Sequence, residues 1–115
     1  MNEELRRQAI GALLRGERVA VFLESWESAR DEVRAVAGVL PDAPDFRVTF
    51  SAGRLSIVVA GERGLGAIRF YSLGSMGHRG WSCDRVFLPA AASAEVEASV
   101  VPMVAASRVG EVVRF

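Results

Sequence analysis

The stretch HRGWSCDR, residues 78–85, concentrates side chains that could take part in chemistry. Cys83 beside His78 and Asp84 suggests a nucleophile with its base, because a thiolate forms most readily next to a proton acceptor. Members of such triads normally come from separate elements, so nearness in the sequence is poor support for this interpretation. The sequence therefore favours Cys83 as a small buried side chain, and we predict no catalytic residue.

The same stretch has side chains suited to binding. Arg79 and Arg85 could contact phosphate or carboxylate groups, and Trp81 offers a flat ring for stacking. The surrounding residues 74–84 are the longest irregular stretch of the sequence, and binding residues often lie on loops. Two structural alternatives stay open, namely a surface position for the histidine and an ion pair or cap formed by Asp84 and Arg85. The predicted binding residues are His78, Arg79, Trp81 and Arg85.

Metal and nucleotide chemistry find little support in the residue types. The chain has one Cys and one His, fewer than the three or four ligands of a typical zinc site. The stretch GERGLG, residues 61–66, does not match the phosphate loop G-x-x-x-x-G-K-S/T and lies between two predicted strands. The chain also lacks lysine. We predict an ordinary hairpin turn at GERGLG, no metal site and no cofactor.

Composition limits the class of protein. With 115 residues, of which 50% are hydrophobic, the chain is long enough for a single domain over residues 1–115. The 14 basic and 14 acidic residues balance, so net charge provides no general argument for nucleic acid or an anionic membrane. The single cysteine suits a reducing compartment, and no apolar run approaches the roughly 20 residues needed to span a bilayer. The start MNEELRRQ has no signal-peptide character, and we predict a cytoplasmic protein without a membrane segment.

Periodicity predicts the elements that must position these residues. Apolar residues at helical spacing alternate with continuous or period-two apolar runs typical of strands. Ser25 and Ser93 are suited to capping helices, and Pro41 to ending one. In order along the chain, the pattern predicts a helix (3–15), a buried strand (19–23), a helix (26–40), two hairpin strands (46–60), a strand (67–73), a short strand (85–91), a helix (94–104) and a terminal strand (109–115).

The core and the ligand edge follow from these elements. In open α/β sheets, ligands bind at the carboxyl ends of parallel strands, which here are predicted to carry Glu24, Ser25, Trp26 and residues 89–91. A plain core role is favoured for Trp26. The predicted core consists of Val19, Val21, Leu23, Val33, Val36, Leu40, Ile57, Ile68, Val86 and Leu88.

The succession of a buried strand, a helix, two short strands, FYSL and HRGWSCDRVFLP resembles the ATPase domain of phage large terminase subunits and related RecA-like helicase cores. Arg79-Gly80 and residues 84–88 match the approach to the metal-binding strand of that family. The later VVPMVAASRVGEVVRF resembles the next helix and strand. The resemblance implies a three-layer α/β fold with a mostly parallel, RecA-like sheet and an antiparallel hairpin.

Two departures from the family concern its catalytic machinery. The loop ending in Gly-Lys-Ser/Thr, which precedes the first helix in the family, has no counterpart, and Pro89 and Ala90 stand where the family has its acidic metal-binding pair. The resemblance therefore implies a degenerate core, truncated at the phosphate-loop strand and unable to bind ATP with magnesium. A truncated sheet has an open edge, which proteins usually cover or pair, so we also expect self-association.

These inferences rank three functions. The first is a non-catalytic, phage-type protein derived from a terminase-like core, acting as a binding or self-assembly module and forming a homo-oligomer. The alternative is a nucleic-acid-binding accessory protein that contacts DNA through the Arg/Trp loop, against which the zero net charge counts. An enzyme using Cys83 ranks last, because the cysteine is isolated. No small-molecule substrate is identified.

Overall fold

A computed structural model of the chain describes residues 1–40, 45–51, 54–61, 64–74, 77–78 and 80–115. Within these residues the helices and strands follow the order predicted from the sequence. They are α1 (Glu3–Leu14), β1 (Arg18–Leu23), α2 (Trp26–Val39), β2 (Phe46–Ser51), β3 (Arg54–Gly61), β4 (Gly64–Ser72), β5 (Arg85–Leu88), α3 (Ala94–Val104) and β6 (Glu111–Arg114).

The strands form one mixed sheet in the order β2-β3-β4-β1-β5-β6. β1 pairs in parallel with β4 and β5, and β5 pairs in parallel with β6. β3 is antiparallel to both β2 and β4. This confirms the α/β class and a mostly parallel sheet that includes antiparallel pairs. The strands on either side of GERGLG are antiparallel up to Gly61 and Gly64, as expected for a hairpin, and residues 62–63 between them lie outside the described residues.

Side-chain caps begin the helices. The Ser25 and Ser93 hydroxyls accept hydrogen bonds from the amides of Ser28 and Val96, as predicted. α2 ends at Val39, and Leu40 is already extended, the conformation favoured before a proline. The local sequence therefore sets where these helices begin and where α2 ends.

Two apolar clusters pack on opposite faces of the sheet. α1 and α2 cover the first face, and α3 with the segment before β5 covers part of the second. β1 is buried on both faces because it lies between these layers. Nine of the ten predicted core residues are buried, and Leu40 is partly buried against the first cluster.

The second face is only half covered by helix. α3 contacts β5 and β6, and no described helix packs on the half of this face formed by β2, β3 and the outer part of β4. We call this region the open half-face. Its side chains include Arg47, Thr49, Ser56 and Arg69.

Candidate functional site

Cys83 is a packing residue in this structure. Its side chain is buried in the second cluster, and its amide donates to the Met103 carbonyl oxygen at 2.8 Å. Burial, helped by the charge of Asp84, raises the pKa of the Cys83 thiol to about 12. At neutral pH the thiol is therefore protonated, which agrees with the small buried role predicted for it.

His78 lies inside the protein. It is 3% exposed, its ring meets Phe22 edge-on with 5.1 Å between centroids, and its Nε2 is 3.2 Å from the Ser99 hydroxyl. The alternative that His78 is loop surface is wrong, because the loop packs its ring against the aromatic side chain of β1. The binding role predicted for His78 does not fit this placement, since so little of its surface is open to a partner.

Arg85 and Asp84 form the structural contacts foreseen as their alternative. Arg85 Nε lies 2.6 Å from Glu17 Oε1, and Arg85 Nη1 lies 3.0 Å from Glu111 Oε2. The hydrogen bond to Glu17, the largest effect, raises the pKa of Arg85. Asp84 accepts hydrogen bonds from the Arg18 amide and the Ser107 hydroxyl. Two carboxylates thus neutralise Arg85, which disfavours the anion-binding role predicted for it.

The ring of Trp81 contacts two arginine side chains. It is 8% exposed, and the guanidinium carbons of Arg18 and Arg69 lie 4.8 and 4.5 Å from its ring centroid. Such cation–π contacts hold the two charged groups at the border of the open half-face. The stacking surface predicted for Trp81 is thus occupied by guanidinium groups, and Arg79, the remaining predicted binding residue, lies outside the described residues.

Four arginines surround a cleft of about 740 Å³ on the open half-face. None of the four forms an ion pair with a described residue. Asp45 and Trp81 also line the cleft, so its described charged side chains are four cations and one anion. The four arginines are Arg18, Arg47, Arg54 and Arg69.

Strand alternation places these polar residues together. Successive side chains of β2 and β3 point to opposite faces of the sheet. Every second residue, Ile57 among them, faces α1 and α2, and the residues between them face the open half-face. The register then aligns Thr49 with Ser56, and Ser56 with Arg69, across three strands. The period-two pattern of FRVTFSAGRLSIVV was the available sequence signal, but it did not reveal that no described helix packs on one side of these strands.

The electrostatics of the cleft favour an anion. Arg18 and Arg69 converge on one ring without forming an ion pair to a described carboxylate, so their like charges repel. An anionic group placed between them would relieve this repulsion and accept charge-assisted hydrogen bonds from planar guanidinium forks. Phosphate and carboxylate are the biological groups with matching geometry.

A second cleft lies where sequence analysis expected ligands. β1 is followed by α2 on one face and β5 by α3 on the other, so their adjacent carboxyl ends form a topological switch point. Glu24 and residues 89–91 line this cleft, as predicted. Its buried Glu32 is held by Arg6 Nε at 2.6 Å. Glu24, Asp31 and Glu32 outnumber the two cations that line it, Arg6 and the Met1 amino group, so this cleft suits phosphate less well than the basic cleft does.

Trp26 differs from its predicted core role. It is 38% exposed and lines a third pocket, of about 230 Å³, together with Arg54, Arg69 and Tyr71. Trp26 shares a helix face with the buried Ala29, three residues further on, but the first turn of α2 lies at the rim of the sheet. The sheet therefore covers only part of its ring.

Two further findings concern the described part of the chain. It contains no cluster of three or more side chains able to hold a metal ion. Among its helices, none combines the length and apolar character needed to cross a bilayer.

No family model, curated protein or solved structure matches the chain.

Proposed function

We propose that this protein is a non-catalytic nucleic-acid-binding module that holds a phosphate backbone on the open half-face. The observation that carries the proposal is the group of four arginines, free of ion pairs to described residues, around a cleft that no described helix covers. Phosphodiester groups follow one another along a strand, and several guanidinium groups in one cleft can bind them in series. This function ranked second from the sequence, where the Arg/Trp loop was its expected location.

Zero net charge does not oppose a local basic surface. The acidic residues Glu17, Glu32, Glu97 and Glu111 form ion pairs with other arginines and do not line the cleft. Among the described acidic residues, Asp45 alone lines the cleft, so the four arginines outnumber the described carboxylates there. A local field of this kind steers anionic partners even when the charges of the whole chain cancel.

The proposed ancestry rests on the sequence motifs. Derivation of a phage-type protein from a terminase-like ATPase core with a RecA-like sheet would explain a domain with an α/β fold and Pro89-Ala90 in place of acidic ligands. In this proposal binding persists after loss of ATP hydrolysis, and no cofactor is needed.

The test compares two double substitutions. Binding of a fluorescent oligonucleotide is measured by anisotropy at about 50 and 200 mM salt, the range over which phosphate-dominated binding weakens steeply. We expect Arg47→Ala with Arg69→Ala to lower affinity and to reduce the salt slope by roughly 1.4, because about 0.7 is lost per phosphate contact to a single strand. The control, Arg7→Ala with Arg34→Ala, removes two exposed arginines from α1 and α2 and is expected to bind like the parent protein.

Equal affinities for the two double variants, or no binding by the parent chain, would contradict the proposal. Light scattering on the same samples tests the self-assembly hypothesis. A drop in mass caused only by the Arg47 and Arg69 substitutions, without an effect on oligonucleotide affinity, would identify the open half-face as a contact between copies of the chain.

A further inference from the structure

We propose that the nucleic acid is single-stranded and that one of its bases stacks on Trp26. This inference rests on the proposed function and names the substrate class of the same surface. It starts from the position of an exposed indole beside the basic cleft, a feature that neither the core nor the ion pairs of the protein explain.

The Trp26 pocket and the basic cleft share two lining residues. These residues are Arg54 and Arg69. Because α2 packs on the opposite face of the sheet, a chain bound along the cleft would cross the edge of the sheet beside these two arginines to reach the indole. Trp81 anchors Arg69 from the cleft side. A phosphate held by Arg54 or Arg69 would therefore have an attached nucleoside within reach of Trp26.

The ring of Trp26 is available in a way that the ring of Trp81 is not. Trp26 is 38% exposed, whereas Trp81 is 8% exposed and already contacts two guanidinium groups. Stacking of bases on aromatic side chains is tolerant of sequence, because every base has a π-face. Trp26 thus supplies a stacking surface, and Trp81 acts as a positioning residue for the arginines.

Tyr71 lines this pocket without adding a charge to it. Its hydroxyl is buried and makes no hydrogen bond of standard geometry to another described residue. Burial raises the pKa of Tyr71, and the nearby Arg69 opposes this only in part. At neutral pH the hydroxyl is therefore protonated, so Tyr71 places no negative charge beside the arginines proposed to bind phosphate.

The preference for a single strand over a duplex follows from how accessible the base faces are. In a duplex, bases are stacked on their neighbours, and an aromatic side chain reaches a base face only after the nucleotide is extruded. In a single strand the faces are open, and stacking adds to phosphate binding without that cost. A cleft that combines arginines with an exposed indole therefore favours a single strand over a duplex.

The experiment measures anisotropy with single-stranded DNA, single-stranded RNA, a DNA duplex of the same sequence and an abasic deoxyribose-phosphate strand. We expect the parent protein to bind the single strands more tightly than the duplex. Trp26→Ala should weaken single-strand binding about tenfold, within the range measured for loss of one stacked base. It should leave duplex and abasic-strand binding unchanged, because neither offers a free base face. Trp26→Phe, which keeps an aromatic face, should retain most of the affinity.

Controls separate stacking from folding. Val39→Ala truncates another exposed apolar residue of α2 and should bind like the parent protein. If Trp26→Ala does not fold, Trp26→Leu takes its place, since leucine fills space without a π-face. Equal affinity of parent and Trp26→Ala for single strands, with binding still weakened by the Arg47 and Arg69 substitutions, would overturn this inference and leave the proposed function standing. Absence of binding to every probe would overturn both.

Discussion

Trp81 shows how one side chain can organise charge on a surface. Its ring holds Arg18 from the start of β1 and Arg69 from the middle of β4, two strands that are neighbours in the sheet. Long arginine side chains lose conformational freedom when they are held in place, and an aromatic platform offsets part of that loss before any ligand arrives. In the proposed function, the indole would therefore contribute to anion binding without needing to touch the anion.

The buried environment of Cys83 raises the pKa of its thiol, and this makes the stability of the protein depend on pH. Because the pKa in the fold, about 12, lies above the ordinary value of 9.0, the buried thiol stabilises the protein below pH 9 and this contribution is lost as the pH rises towards 12. We expect the free energy of unfolding, measured by urea titration, to fall over this window by roughly 1 kcal/mol per pH unit from this residue. In Cys83→Ala the fall should be smaller.

An equal alkaline slope in the Cys83→Ala variant would show that other groups control this pH dependence. Oligonucleotide affinity provides an independent check on the role of the thiol. We expect Cys83→Ser to keep its affinity, because the thiol lies in the second apolar cluster and does not line the basic cleft. A folded Cys83→Ser variant without binding would revive a chemical role for the cysteine.

Among the elements, α1 and β4 approach each other closely at Gly66. A Cβ atom added to Gly66 would lie 2.1 Å from the Leu13 carbonyl oxygen, a backbone atom that cannot move without shifting the end of α1. Glycine therefore allows the helix to sit directly on the strand. The contact lies where β4 begins, at one end of the apolar cluster under α1 and α2.

Substitution of this glycine provides an element-scale prediction. We expect Gly66→Ala to lower the free energy of unfolding by about 1–3 kcal/mol, the usual range for overpacking. The matched control is Gly38→Ala in α2, where an added Cβ meets nothing within 4 Å and alanine should stabilise the helix by about 0.5–1 kcal/mol. Both are measured by urea unfolding, and equal effects of the two substitutions would show that α1 can shift to accommodate a side chain.

For the whole molecule, one sheet joins two apolar clusters of unequal extent. Val21 points into the cluster under α1 and α2, and Leu88 points into the cluster under α3. The strands that carry them, β1 and β5, are direct neighbours. Loss of packing on one face should therefore be transmitted to the other through shared backbone hydrogen bonds.

This arrangement predicts cooperative unfolding. We expect Val21→Ala and Leu88→Ala each to cost about 1–4 kcal/mol, with the leucine at the upper end because it leaves the larger cavity. In each variant, unfolding followed by far-UV and near-UV circular dichroism should give coincident curves, as in a two-state transition. Separate transitions in Leu88→Ala would mean that the α3 side unfolds on its own.

The sequence by itself determined the elements, their order and most of the core. Apolar spacing reports directly on which side chains of an element face inwards, so nine of the ten expected core residues, including Val33 and Ile57, are buried. Helix capping by Ser25 and Ser93 was also predicted correctly from the sequence, because those hydrogen bonds join residues only three positions apart. These properties depend on neighbours in the chain.

Only the tertiary structure decided which surface is open and which arginines meet there. Arg18 and Trp81 are far apart in the sequence and come together because β1 lies between β4 and β5. The same packing turns His78 inwards and pairs Arg85 with Glu17, so two side chains that looked available in the sequence are not. Contacts between distant segments carry no periodic signal, and the uncovered half of the sheet is set by where α3 packs rather than by the residues of β2 and β3 themselves.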